Sequence, residues 1–207
     1  MTDASKARTS GWLPMDRLPA GPWWRLLAVV VGAGMVSLGA QIVTPSLGEI
    51  PGTLQPLMVL LVGMVLGPLY GTLAVALYVV LGVLGAPIFA DGGSGYGGPT
   101  SGYFIGFIAA ALISGFLSQR ACALASGQAT ARLIVAALVG LAAIYVGGLA
   151  WLTLRVGLSF AEAISAGFSP FIVGDLLEAA VAVSVVALLA AVLRPRMEGA
   201  GAGTGRA

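Results

Sequence analysis

Histidine is absent from this chain of 207 residues, cysteine occurs once, as Cys122, and charged side chains make up only 9% of it. Without histidine or a second cysteine there is no disulfide framework, no Cys/His zinc site and no histidine-based catalysis, so no metal or cofactor is expected and most hydrolase chemistries are excluded. So low a charge content lies far below the roughly 25% of soluble domains. Ten basic residues against eight acidic ones leave a net charge of +2. Their distribution says more than their sum, because basic residues beside apolar runs set membrane topology, and no nucleic-acid partner is expected.

What fills the chain is apolar: 58% of residues are hydrophobic and the mean hydropathy is +1.01. A bilayer core takes about 20 apolar residues per helix, so the length allows about six spans in one domain. The expected fold is an all-α integral membrane protein, a bundle of six transmembrane helices with its lipid bilayer as solvent. Apolar runs place the spans near 24–43, 54–67, 69–86, 102–119, 132–154 and 170–193. The second and third are divided at Gly67-Pro68, where a tight turn is favoured over one long helix. Residues 1–23 read as a cytoplasmic tail and 194–207 as a disordered one, rich in glycine and alanine.

Six spans put both termini on one side. Assigning that side to the cytoplasm places Lys6, Arg8, Arg17, Arg25, Arg120, Arg132, Arg194, Arg196 and Arg206 inside and only Arg155 outside, as the positive-inside rule requires. The reading is a multi-pass protein of the cell membrane. Glu49, Asp91 and Glu162 fall in outer loops, and Asp175 and Glu178 near the outer end of the last span, so polar chemistry gathers outside.

Three features carry candidate function. Ala28, Gly32, Ala33 and Ser37 give the first span small residues at four-residue spacing, which lets backbones approach in lipid, either within the chain or against a partner subunit. Residues 91–103 form a glycine-rich outer loop, with Asp91 at its start and Gly92, Gly93, Gly95, Gly97 and Gly98 able to close over a ligand as a lid. Asp175 and Glu178, three residues apart, share a face of the last helix, and carboxylates inside a span point to a polar cavity. Asp175 can accept the N–H groups of a urea or amide. Thr53 and Gln55, at the start of the second span, and Tyr103, Tyr145 and Trp151 could line the same pocket. An intramembrane acid–base pair of Asp175 and Glu178 is disfavoured, with no histidine, metal cluster or Ser-Lys arrangement beside it.

Together these segments resemble the BioY family, the biotin-specific S components of energy-coupling factor (ECF) transporters. The resemblance is carried by Gly52-Thr-Leu-Gln55, Gly63 to Gly71, Leu84-Gly-Ala-Pro-Ile-Phe89, Gly98-Pro-Thr-Ser-Gly-Tyr-Phe-Ile-Gly-Phe107, Tyr145-Val-Gly-Gly-Leu-Ala-Trp-Leu152 and Gly167-Phe-Ser-Pro-Phe-Ile-Val-Gly-Asp175, in family order. It implies a six-helix fold with an outward-facing pocket. It also implies partners: a transmembrane coupling subunit and two cytoplasmic ATPase subunits that release the captured vitamin inside. By the family pattern Asp175 contacts the ureido ring of biotin, with Thr53, Gln55 and Tyr103 nearby. Three departures stand out: Glu178 replaces a usual lysine, the glycine-rich loop is a few residues shorter, and Gly52 stands where a β-branched residue is common. Glu178 would repel a ligand carboxylate unless it is protonated, turned away, or offset by Arg155 or by the N-terminus of the fourth span, which leaves another small vitamin or precursor as the competing substrate.

Overall fold

A computed structural model describes residues 22–44, 52–119 and 126–202. The helices are α1 (Pro22–Gln41), α2 (Gln55–Val83), α3 (Ser101–Gln119), α4 (Ser126–Leu154), α5 (Phe160–Gly167) and α6 (Ile172–Ala202). Two short strands, β1 (Val43–Thr44) and β2 (Gly52–Thr53), pair antiparallel with Val43 opposite Thr53. All the helices except α5 are long and apolar enough to cross a membrane.

The helix α2 is not one rod. Gly67 has φ 79° and ψ 177°, a conformation open essentially to glycine alone, and Pro68 follows without an N–H to carry the ladder through. The side chains of Gln55 and Tyr78 are 2.6 Å apart, although the 23 residues between them would span about 34 Å in a straight helix. A methyl group on Gly71 would stand 2.8 Å from the Gly63 Cα. The chain therefore reverses at Gly67, and α2 is a hairpin with legs 55–66 and 68–83. The expected turn between the second and third runs lies where Gly-Pro predicted it, and the five long helices contribute six apolar legs.

Packing is close wherever two glycines meet. Gly102 and Gly106 of α3 lie against Ile144 and Gly147 of α4, where an added Cβ at Gly106 would be 2.7 Å from the Ile144 Cα and carbonyl oxygen. This Gly-x-x-x-Gly approach sets α3 and α4 backbone to backbone. Gly32 sits equally close to Ala74 and Leu66 of α2, and Ala33 is buried beside it. The small-residue stripe of α1 is thus corrected: Gly32 and Ala33 are spent on packing within the chain rather than presented to a partner, and Ala28 and Ser37 are half-buried. On the outside, Leu26, Leu69, Leu81, Ile105, Val146, Leu177 and Leu188 are exposed, an apolar girdle that suits lipid rather than water.

Three boundaries differ from the expected ones. The helix α4 begins at Ser126 rather than 132. The helix α6 continues to Ala202 in place of a disordered tail from 194. A short helix, α5, occupies part of an expected loop, started by a capping box in which Ser159 and Glu162 bond each other's backbone N–H groups. The hydrogen bonds from Ser159 hold the Glu162 carboxyl below its ordinary pKa. The N-terminal tail before residue 22, Glu49 and Arg120 lie outside the described residues.

Candidate functional site

The two short strands, the start of α2, the loop between α2 and α3, the start of α3, the end of α4, the end of α5 and the start of α6 meet at one end of the bundle. There they enclose a cavity of about 680 Å³, a size suited to a small organic ligand. Its polar groups converge from separate elements. Thr53, at the end of β2, donates to Gln55 Oε1 at 3.0 Å, and Gln55 Nε2 donates to the Tyr78 hydroxyl. Tyr103 of α3 donates to the Gly167 carbonyl at 2.6 Å. Tyr145 of α4 donates to Asp175 Oδ2 at 2.5 Å.

Asp175 is only 8% exposed, yet it lines the cavity. Its partner Tyr145 fixes one carboxylate oxygen, and no further bond to the Asp175 carboxylate is made among the described residues. Lone pairs on the carboxylate therefore remain for a donor entering the cavity. Apolar surface surrounds this acceptor: Phe89 stacks on Phe104 with ring centroids 4.2 Å apart, and Phe107, Ile144, Leu152 and Phe171 complete the wall. A ligand that fits has N–H donors at one end and an apolar body.

The glycine-rich loop forms the roof. Asp91, Gly93, Gly95 and Gly98 line the cavity, while Gly92 and Gly97 do not. Asp91 has φ 54° in a 3₁₀ turn over Ala90–Gly92, and Gly92, Gly95 and Gly97 also have positive φ. The roof is tethered at several points: Gly95 N donates to Gly82 O at 2.8 Å, Gly97 N donates to Ser101 Oγ at 2.9 Å, and Trp151 Nε1 donates to Gly98 O at 3.0 Å. Gln41 at the end of α1 reaches Phe89 O at 2.8 Å.

Thr53, Gln55, Tyr103, Asp91, Tyr145 and Asp175, all marked in the sequence, are brought to one cavity. Glu178 is the correction. It is 6% exposed, does not line the cavity, and accepts the Leu57 N–H at 2.9 Å. The physical reason is local. The first N–H groups of a helix lack internal partners, and the residue before α2, Leu54, has no side-chain acceptor to supply. A carboxylate from α6 fills that role and meets the positive end of the helix; a lysine there would have no acceptor to offer. Replacing Glu178 by Leu is expected to lower stability by about 1–2 kcal/mol, the cost of orphaning a buried donor. Glu178→Gln, which keeps an acceptor, should stay close to the parent. Thermal unfolding in detergent checks the pair, and equal stability of Glu178→Leu and parent would contradict the capping role.

Phe89, Phe107, Phe171 and Leu152 were not singled out in the sequence. Nothing distinguishes a pocket-lining aromatic from a lipid-facing one in so apolar a chain.

The family model of the BioY family matches residues 15–195. The protein named "Probable biotin transporter BioY" of Pyrococcus horikoshii is 40% identical over 160 residues, covering 76% of this chain and 90% of the relative. The biotin transporter BioY of Thermotoga maritima is 38% identical over 161 residues, with 76% and 90% covered. The crystal structure of an S-component for biotin from an ECF-type ABC transporter superposes with a TM-score of 0.71 at 24% identity, covering 81% of this chain and 90% of that one; it shares the fold.

Proposed function

We infer that this chain, which belongs to the BioY family, is a multi-pass membrane transport protein that captures biotin and is not an enzyme. The observation that carries the substrate is Asp175: a buried carboxylate, oriented by Tyr145 and facing an otherwise apolar cavity, suits the N–H edge of a ureido ring, while the aromatic wall suits the rest of the bicyclic body. Thr53, Gln55 and Tyr103 shape the cavity around it.

The cavity opens outward and both termini face the cytoplasm. Support comes from the described arginines: Arg25 and Arg132 lie at the start of α1 and early in α4, at the end of the bundle opposite the cavity. All six apolar legs cross the cell membrane. The roof of glycine-rich loop acts as the gate, its tethers to Gly82, Ser101 and Trp151 breaking as the ligand passes.

Transport is driven by partners. The single lysine of the chain, Lys6, is not preceded by the glycine-rich phosphate loop of an ATPase. The coupling subunit and two cytoplasmic ATPase subunits of an ECF transporter supply the energy that turns capture into delivery. Uptake of labelled biotin by cells without another biotin carrier tests this. Accumulation is expected when the chain is produced with those subunits and should fall at least several-fold without them; accumulation of a different vitamin in place of biotin would overturn the substrate.

A further inference from the structure

Biotin asks for opposite charges at its two ends: an acceptor for the ureido N–H groups and a cation for the carboxylate that ends its aliphatic tail. The cavity supplies only the first. Among the described residues its charged lining residues are Asp91 and Asp175, and no lysine or arginine lines it. Of the arginines with described side chains, Arg25 and Arg132 belong to the far end of the bundle. Arg155 is the one at the cavity end.

Its placement is specific. Arg155 directly follows the last residue of α4 and its guanidinium lies over the Trp151 ring, 5.5 Å from the centroid. That same indole donates to Gly98 O of the roof and meets Tyr96 edge to face at 5.3 Å; Gly98, Tyr96 and the next residue along, Val156, all line the cavity. The cation is therefore parked on the rim by an aromatic that also holds the roof. Trp151 follows Tyr145 by six residues on the same helix, about 9 Å along the axis. Trp151 and Arg155 therefore lie farther along α4 than the Tyr145–Asp175 hydrogen bond, on the side of the roof.

We propose that Arg155 is the carboxylate-recognising residue of the site, pairing at the cavity rim with the tail of a ligand whose N–H end is held by Asp175. The inference rests on the biotin reading and deepens it. An arginine already stacked on Trp151 is held in place, so little further freedom is lost when the anion arrives. The exposed rim keeps the gain modest and sensitive to salt.

The test uses the purified full-length chain in detergent, titrated with biotin and with biotinamide, in which the carboxylate is replaced by a neutral amide. The parent should prefer biotin by roughly three- to tenfold, in keeping with a partly exposed charge pair, and the preference should shrink as ionic strength rises. Arg155→Gln should weaken biotin by that same factor and leave biotinamide within twofold, which also reports an intact fold. Equal weakening of both ligands, an unchanged affinity for biotin in Arg155→Gln, or a preference indifferent to salt would each overturn the assignment. A parent that binds neither compound overturns the biotin reading itself, a result distinct from these.

Discussion

Substituting Asp175 by asparagine should weaken biotin binding roughly tenfold to a hundredfold, the range that follows from losing hydrogen bonds to a charged acceptor, while leaving the fold intact. The expectation follows from position. Asp175 is nearly buried in the first turn of α6, with one oxygen held by Tyr145 and the remaining capacity turned to the cavity. Asparagine keeps the shape and one acceptor oxygen but loses the negative charge and presents N–H groups of its own toward ligand donors. An isolated charge near lipid is costly, so the neutral side chain should not reduce stability. Equilibrium titration of the purified variant checks the first part and thermal unfolding the second. Parent-like affinity would remove Asp175 from the site.

The second large effect is structural. Gly106→Val should abolish recovery of folded protein, or lower its stability by about 3 kcal/mol or more, above the usual cost of overpacking. The reason is that the neighbour is backbone, not a flexible side chain: the added Cβ would lie 2.7 Å from both the Cα and the carbonyl oxygen of Ile144, and 2.9 Å from the carbonyl of Ala143. The helices α3 and α4 would have to separate. They carry Tyr103, Phe104 and Phe107 on one side of the cavity and Ile144 and Tyr145 on the other, so binding should be lost with packing. Gly34→Ala is the control, since nothing lies within 4 Å of a Cβ added at Gly34. Size-exclusion profiles and thermal unfolding of the two variants should differ sharply, and a well-folded Gly106→Val protein would contradict a backbone-to-backbone crossing of α3 and α4.

These two sites illustrate what could and could not be read from the sequence. The reversal at Gly67-Pro68 was legible because the two residues that break a helix stand together between apolar runs. Asp175 was legible because a carboxylate in so apolar a chain needs a reason to be there. Glu178 was legible as a buried charge but not as a helix cap. Three residues of helix turn through about 300°, so the side chains of Asp175 and Glu178 diverge by about 60°, enough for one to reach α4 and the cavity while the other reaches α2. Which neighbour each would meet depends on packing between elements far apart in the chain, 30 residues for Asp175 and 121 for Glu178. The capping box of α5, Ser159-Phe-Ala-Glu162, is a helix start in the sequence, but the segment it opens is too short to stand out among spans. Of the aromatic wall only Tyr103 and Tyr145 were legible; nothing in the sequence set Phe89, Phe107 and Phe171 apart as pocket-lining.

The small-residue stripe of α1 carries the complementary lesson. Four-residue spacing of Ala28, Gly32, Ala33 and Ser37 marks a surface of close approach but does not name the neighbour. The neighbour at Gly32 is α2, with Ala74 Cβ 2.8 Å from where a methyl group would stand.

The most direct measurement of the central claim is a calorimetric titration of biotin into the purified chain alone, without the proposed partner subunits. Saturable binding near one biotin per chain, lost or severely weakened in Asp175→Asn, is the predicted result. No heat with biotin, together with tight binding of a different vitamin or precursor, would contradict it.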